Sequence, residues 1–167
     1  MDLLVIRHAI AGDREEWAKT GRPDGERPLT EEGLERMRRH ARALQRLVPK
    51  LDLLATSPLA RAVQTAEVVR AAYDDLDVVD APPLAHGGAL DEVRAWLAAR
   101  PESRIAIVGH EPDLGQLVGW FLLGDPRAGI ALKKGGACLL RFAGLPEPGA
   151  AELKWFLPPK VLRRLGT

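Results

Sequence analysis

Residues 105–112 read Ile105-Ala106-Ile107-Val108-Gly109-His110-Glu111-Pro112. Four consecutive apolar residues, three of them β-branched, form a run too short for a helix. The run has the composition of a strand buried on both faces. Pro112 then suits the first position of a helix, because a proline there gives up no intrahelical hydrogen bond. Leu114, Leu117, Val118 and Phe121 follow at helical spacing, and Gly124 ends the segment. The reading is strand, turn bearing a histidine, helix.

The same pattern recurs toward the N-terminus. Leu3-Leu4-Val5-Ile6 is a second buried strand, followed directly by Arg7-His8-Ala9. Gly12 to Pro28 is polar and broken by Gly21, Pro23 and Gly25, which predicts a loop. Thr30 can cap the next helix, with Glu31 and Glu32 in its positive first turn. Leu34, Met37, Ala41, Leu44 and Leu47 or Val48 mark its apolar face, and Pro49 stops it. Leu51 to Ala55 is a strand. Ser57-Pro58 predicts a helix start, with Ser57 as cap and Pro58 in the first position, running to about Tyr73. Leu59, Val63, Ala66 and Val69 or Val68 are its expected inward residues. Val78-Val79 is a further strand, and Leu90 to Ala99 a helix with Leu90, Val93 and Leu97 inward. Ala137 to Phe142 and Leu153 to Leu157 close the chain as two strands around the turn 144–149.

Strands alternating with helices predict an α/β fold: a three-layer sandwich with a mostly parallel central sheet flanked by helices. The length of 167 residues, with no repeat and no linker composition, fits one domain spanning 1–167. In such sheets ligands gather beyond the carboxyl ends of the strands. Arg7-His8, Ser57-Pro58 with Arg61, and His110 all follow predicted strands. One sheet edge should therefore collect two histidines and two arginines from distant parts of the chain.

Composition narrows the partners. Lys and Arg total 24 against 23 acids, so no global field exists to hold nucleic acid or an anionic membrane. Trp17, Trp96, Trp120 and Trp155 are scattered and read as core or half-buried anchors, with no stacking platform for bases. The single cysteine, Cys138, lies in an apolar run and forms no internal disulfide. Met1-Asp2 reaches Arg7 after four apolar residues, too few for a signal-peptide core, and no stretch approaches a membrane span. The expected setting is the cytoplasm. His8, His40, His86 and His110 show no helical i, i+4 ligand pair, so neither a metal nor another cofactor is expected.

Two histidines among arginines suit a phosphoryl group. Its transfer depends on positioning and on positive charge around the equatorial oxygens. Guanidinium groups hold two oxygens at once and stay charged. Arg61 adds a place in the first turn of a helix, where free N–H groups favour anions. A neutral imidazole held in one tautomer is a nucleophile toward phosphorus, and water can then release phosphate from it.

Arg7-His8-Ala9 resembles the Arg-His-Gly signature of the histidine phosphatase (phosphoglycerate mutase-like) superfamily. Arg27-Pro28-Leu29-Thr30 with Gly33, Ser57-Pro58-Leu59-Ala60-Arg61-Ala62-Val63-Gln64-Thr65, and Gly109-His110-Glu111-Pro112 resemble its phosphohistidine phosphatase SixA branch. The resemblance runs from Arg7 to about Gly124. It implies a phosphoglycerate mutase-like fold and a metal-independent phosphatase with His8 as phosphorylated nucleophile. It also implies a phosphate site made by Arg7, Arg27, Arg61 and His110. Mutase-type members carry a glutamate acid in the segment matching Leu84 to Asp91, and this chain has none there. An alkoxide leaves poorly without a proton donor, whereas an imidazole takes a proton readily near neutral pH. A phosphohistidine in a protein is therefore the expected substrate. A small-molecule phosphomonoesterase with the same intermediate is the first alternative, and a non-catalytic phosphate-binding module the second. A mutase would need a closed site that excludes water.

His86 and Glu111 are candidate proton donors, although His86 beside two glycines also reads as a loop residue and Glu111 also as a helix cap. Asp91 reads as a first-turn charge. Gln64 and Thr65 read as shaping the helix near the site. His40 lies among Arg38, Arg39 and Arg42 on an expected solvated face, and the Arg36 to Arg46 charges read as solvent-facing, with an acidic partner as their other use.

Overall fold

The computed structural model describes residues 1–74 and 76–167. Six strands form one sheet: β1 (Asp2–Arg7), β2 (Leu53–Thr56), β3 (Val78–Asp80), β4 (Arg104–Gly109), β5 (Ala137–Phe142) and β6 (Ala151–Leu157). Their order is β3-β2-β4-β1-β5-β6. The first four are parallel, and β5 and β6 pair antiparallel at one side. Helices α1 (Arg14–Ala18), α2 (Glu31–Leu47), α3 (Ala60–Arg70), α4 (Leu90–Ala98), α5 (Asp113–Leu123) and α6 (Pro159–Leu165) complete the fold.

Side chains along a strand alternate between its faces, and a continuous apolar run is therefore what a sheet covered on both sides requires. Leu4, Ile6, Leu54, Ala106 and Val108 face α2, α3 and α6, where Met37, Ala41, Leu44, Ala62, Ala66, Val69 and Leu162 complete one core. Leu3, Val5, Leu53, Ile105 and Ile107 face the other way, against Val93 and Leu97 of α4 and Leu114, Leu117, Val118 and Phe121 of α5. The layers are those expected.

Local signals worked where they were chemical. Thr30 Oγ1 accepts from the Gly33 N–H at 2.9 Å, and Glu31 and Glu32 occupy the first turn of α2. A Cβ at Gly33 would collide with the Ile10 carbonyl, so a residue without a side chain lets the loop after β1 lie against α2. Gly124 closes α5 in the left-handed conformation, φ 73°.

Five readings are corrected. The predicted loop 12–28 contains α1 and a 3-10 turn at Asp24–Glu26. Asp13 caps α1 by accepting from the Glu16 N–H, a signal hidden among charges. Helix α3 starts at Ala60, after Leu59, and Ser57 does not cap it. Its inward stripe is Ala62, Thr65, Ala66 and Val69, while Val63 and Val68 face a groove toward Leu34 and Ala41 of α2. His40 is buried, because it shares the face of Met37 and Leu44 and packs against the Gly135 turn. Finally, α6 was not predicted; its Pro158-Pro159 start encloses few apolar residues. Arg42 and Arg46 donate to the carbonyls of Gly166 and Leu165 at its end, at 2.9 and 2.7 Å. Arg36 and Arg39 pair with Glu32 and Glu35 one turn away. These arginines therefore serve the chain's own helices. Among the described residues, no helix is long and apolar enough to cross a membrane.

Candidate active site

Strands β1, β2 and β4 end level. Arg7 lies opposite Gly109, and Thr56 opposite Val108. The His8 N–H donates to the Gly109 carbonyl and the Ser57 N–H to the Val108 carbonyl, each at 3.0 Å. Sheet register therefore delivers His8, Ser57 and His110 to one edge. Arg7, His8, Arg27, Arg61, His86, His110 and Glu111 all line one cavity there of about 620 Å³. Every candidate site residue is thus brought together.

His8 is 6% exposed, and its Nδ1 lies 2.7 Å from the Ala9 carbonyl. A carbonyl only accepts, so Nδ1 carries the proton and Nε2 keeps the lone pair. The Ala9 N–H donates to Thr65 Oγ1 at 3.0 Å, and Thr65 Oγ1–H donates to the Arg61 carbonyl at 2.7 Å. The segment carrying His8 is thereby tied to the helix carrying Arg61. Gln64 fixes the next loop, accepting from the Leu29 N–H at 2.8 Å.

The His110 ring sits 5.1 Å from that of His8. Its Nε2 is 2.7 Å from Ser57 Oγ, and its buried Nδ1 has no protein partner. If the Ser57 hydroxyl donates to Nε2, Nδ1–H is left to donate to an oxyanion. Ser57 is thus a partner of His110.

The arginines are fixed through backbone. Arg7 Nη1 donates to the Leu132 carbonyl at 2.8 Å, and Glu111 Oε1 accepts from the Leu132 N–H at 2.8 Å. Glu111 and Arg7 thus grip the same peptide segment from both sides. Burial pushes the Glu111 carboxyl up from its ordinary range. Arg27 donates from Nη1 to the Gly12 carbonyl at 2.8 Å and from Nε to Asp24 at 2.9 Å. Arg61 Nη1 donates to the Asp24 carbonyl at 3.0 Å, and Nη2 lies 3.2 Å from its carboxylate. Hydrogen bonding from Arg27, then the charge of Arg61, holds the Asp24 carboxyl below its usual range. The side chains of Arg27 and Arg61 are nearly buried, whereas that of Asp24 is 39% exposed.

His86 Nδ1 lies 2.9 Å from Asp113 Oδ2, and its ring stands edge-on to His110 at 6.4 Å. Asp91 points elsewhere and pairs with Arg94 on the surface. The sequence reading missed Asp24 and Lys134, which line the cavity, and Asp113, which holds His86. Asp24 lies three residues before Arg27, and Asp113 reads as an ordinary first-turn acid of α5. Lys134 belongs to the polar stretch before β5 that carried no motif.

His8 and His40 are held near pKa 4 and His110 near 3. Burial is the largest cause in all three. At His8 the charges of Arg61, Arg7 and Lys134 add to it, against the Ala9 carbonyl, which favours protonation. A free imidazole titrates near about 6.5. Above that pH both folded and unfolded chains are neutral at these rings. Between about 6.5 and 4 only the unfolded chain takes up protons, so stability is lost as pH falls, by about 1.4 kcal/mol per pH unit for each ring. Unfolding midpoints should drop steadily from pH 7 to 5, and His40→Gln should flatten that slope by one proton. A pH-independent midpoint would show that these rings are not buried neutral.

Comparison with known proteins agrees with this geometry. Residues 3–87, half of the chain, match the family model of the histidine phosphatase superfamily, branch 1. An uncharacterized protein of Picosynechococcus sp. is 39% identical over 175 residues, covering 95% of this chain and 100% of the relative. The solved structure of the protein histidine phosphatase SixA complexed with tungstate superposes with a TM-score of 0.79 at 24% identity, covering 97% of this chain and 99% of the other. A protein assigned as phosphohistidine phosphatase SixA from Nakamurella multipartitia gives a TM-score of 0.76 at 27% identity, with 95% of each chain covered. The sheet order, the motifs and these likenesses converge: the chain belongs to the histidine phosphatase superfamily, as a phosphatase with the fold of its SixA branch.

Proposed function

We propose that this phosphatase removes the phosphoryl group from phosphohistidine carried by a protein, through a phosphohistidine intermediate on His8. The observation that carries the reading is the state of His8. It is neutral, its Nδ1 proton is committed to a carbonyl, and its ring lines a cavity with Arg7, Arg14, Arg27, Arg61 and the imidazoles of His86 and His110. The tungstate on the SixA structure, an oxyanion, agrees with an anion site of this kind.

In the first step Nε2 of His8 forms a bond to phosphorus. The bond from phosphorus to the substrate's ring nitrogen breaks, and its electron pair returns to that ring. A substrate ring protonated on its other nitrogen leaves as neutral imidazole. Arg7, Arg27 and Arg61, with Nδ1–H of His110, spread over the equatorial oxygens, where charge is stabilised by groups already in place. In the second step a water oxygen bonds to phosphorus and displaces Nε2 of His8, and phosphate departs. The residues do not require a metal or cofactor for either step.

Two features favour a protein-borne phosphohistidine. The segment 84–91 supplies no glutamate to protonate an alkoxide. The rim is also open, with the Arg14 side chain 79% exposed and that of His86 55%, so a residue projecting from a protein can enter. A cytoplasmic setting, with the buried Cys138 kept as a thiol, belongs to the same reading.

The test is phosphate release in excess EDTA from a phosphohistidine peptide and a phosphoserine peptide in parallel. We expect kcat/KM at least about 100-fold higher for phosphohistidine, since unassisted alkoxide departure forfeits the 10²–10⁴-fold that acid catalysis provides. Equal rates would overturn the substrate class in favour of a general or small-molecule phosphomonoesterase. Phosphate binding without turnover would reduce the chain to a binding module.

A further inference from the structure

The geometry points to a His86–Asp113 dyad as the proton-handling group for the hydrolytic step, with His86 the general base and Asp113 the residue that positions it. This inference rests on the proposed phosphohistidine mechanism and supplies the acceptor for the proton that its second step releases.

The placement comes from two elements. His86 stands in the turn between β3 and α4, beside Gly87, whose φ of 80° a residue with a side chain would rarely adopt. Asp113 opens α5, three residues beyond His110. Its Oδ2 accepts from His86 Nδ1 at 2.9 Å and from the Gly87 N–H at 3.0 Å. One carboxylate therefore fixes both the ring and the backbone that carries it. A carboxylate only accepts, so the proton of the neutral ring sits on Nδ1, and Nε2 is an acceptor. A carboxylate holding a base in its useful tautomer, and steadying it once charged, is the arrangement of hydrolytic triads. His86 belongs to the cavity wall, its ring 6.4 Å from that of His110, which is in turn 5.1 Å from His8. Its side chain is also 55% exposed, open enough to meet an incoming water.

The groups facing His86 are Asp113 from α5 and His110 after β4. Glu111, Arg7, Arg61 and Lys134 line the same cavity. Glu111 is the rival base, but its Oε1 is committed to the Leu132 N–H. Burial also raises its pKa by disfavouring the carboxylate.

The step balances. A water oxygen attacks phosphorus, and one of its protons passes to Nε2 of His86. The bond from phosphorus to Nε2 of His8 breaks, and its pair returns to His8. Phosphate leaves, and the His86 imidazolium, paired with the Asp113 carboxylate, gives its proton to solvent. Formation of the intermediate from phosphohistidine needs no help from His86, because the substrate ring brings its own proton.

Rapid-quench kinetics with a phosphohistidine peptide separates the two steps. His86→Gln should slow turnover about 100-fold. Phosphoenzyme should still form at the wild-type rate and accumulate toward one per chain. The fall of kcat on the acid side of the wild-type profile should vanish, since glutamine takes no proton. Asp113→Asn should also accumulate phosphoenzyme, with turnover down about tenfold or more, because an amide does not enforce the Nδ1–H tautomer. Wild-type hydrolysis and an unchanged pH profile in His86→Gln would overturn the dyad. So would an equal loss of phosphoenzyme formation and hydrolysis. Absence of both turnover and phosphoenzyme in the wild-type chain would instead overturn the mechanism on which the dyad rests.

Discussion

His8→Ala leaves a folded protein whose turnover of phosphohistidine peptide falls at least about 10⁴-fold, to the background of the uncatalysed reaction. The size of the loss follows from the role. A nucleophile that forms the intermediate has no substitute in the route, and removing one member of such a unit forfeits most of what the unit provides. Neighbouring His110 cannot replace it, because its Nε2 is held by Ser57 at 2.7 Å. The fold should survive, since the side chain stands beyond the end of β1 and outside both apolar cores. Indeed the variant should be less sensitive to acid. The wild-type ring is held near pKa 4, so it contributes to the loss of stability below about pH 6.5, and alanine does not. Activity is read by phosphate release, and folding by thermal midpoints at pH 7 and pH 5. Residual activity within tenfold of wild type in a folded His8→Ala protein contradicts the nucleophile assignment.

Arg61→Lys is the second large effect, with kcat/KM expected to fall about 10²–10³-fold although the charge is kept. The Arg61 side chain is only 7% exposed, and its two Nη atoms engage the carbonyl and carboxylate of Asp24. Its Nε is buried without a protein partner. A planar fork can hold Asp24 and turn donors toward an oxyanion in one fixed orientation. An ammonium is a single, strongly hydrated point and cannot do both. Asp24 also ties Arg61 to Arg27, so the two arginines are held as a pair. Lysine should therefore raise KM and lower kcat together, with little change in thermal midpoint. An unchanged rate in Arg61→Lys removes the fork from the mechanism.

What the sequence made legible was whatever is encoded over short range. Ile105 to Val108 and Leu3 to Ile6 announced strands buried on both faces, because a sheet covered on two sides leaves no room for alternation. Pro112, Gly124 and Thr30 marked helix ends through the backbone groups they satisfy or lack. Given those elements, parallel register alone placed Arg7, His8, Arg61 and His110 at one edge. The readings that failed depended on contacts the chain makes at long range. His40 reads as solvated while only its arginine neighbours are in view, and its burial comes from the Gly135 turn nearly a hundred positions later. Ser57 satisfies every local rule for a helix cap, yet His110, 53 residues away, takes its hydroxyl. Asp24 and Asp113 carry no motif, and each acquires its meaning only from a partner distant in sequence, Arg61 and His86. Helix α6 has too few apolar residues to show a period, and is fixed by arginines of α2.

The most direct test is to trap the intermediate. The wild-type chain is mixed with a phosphohistidine peptide labelled in its phosphoryl group, quenched in base within the first turnover, digested and mapped. The mechanism predicts label in the peptide containing His8, acid-labile and base-stable, rising and decaying at rates that account for turnover, and absent from His8→Ala. Steady release of phosphate from the wild-type chain with no label at His8, or with label on another residue, would contradict it.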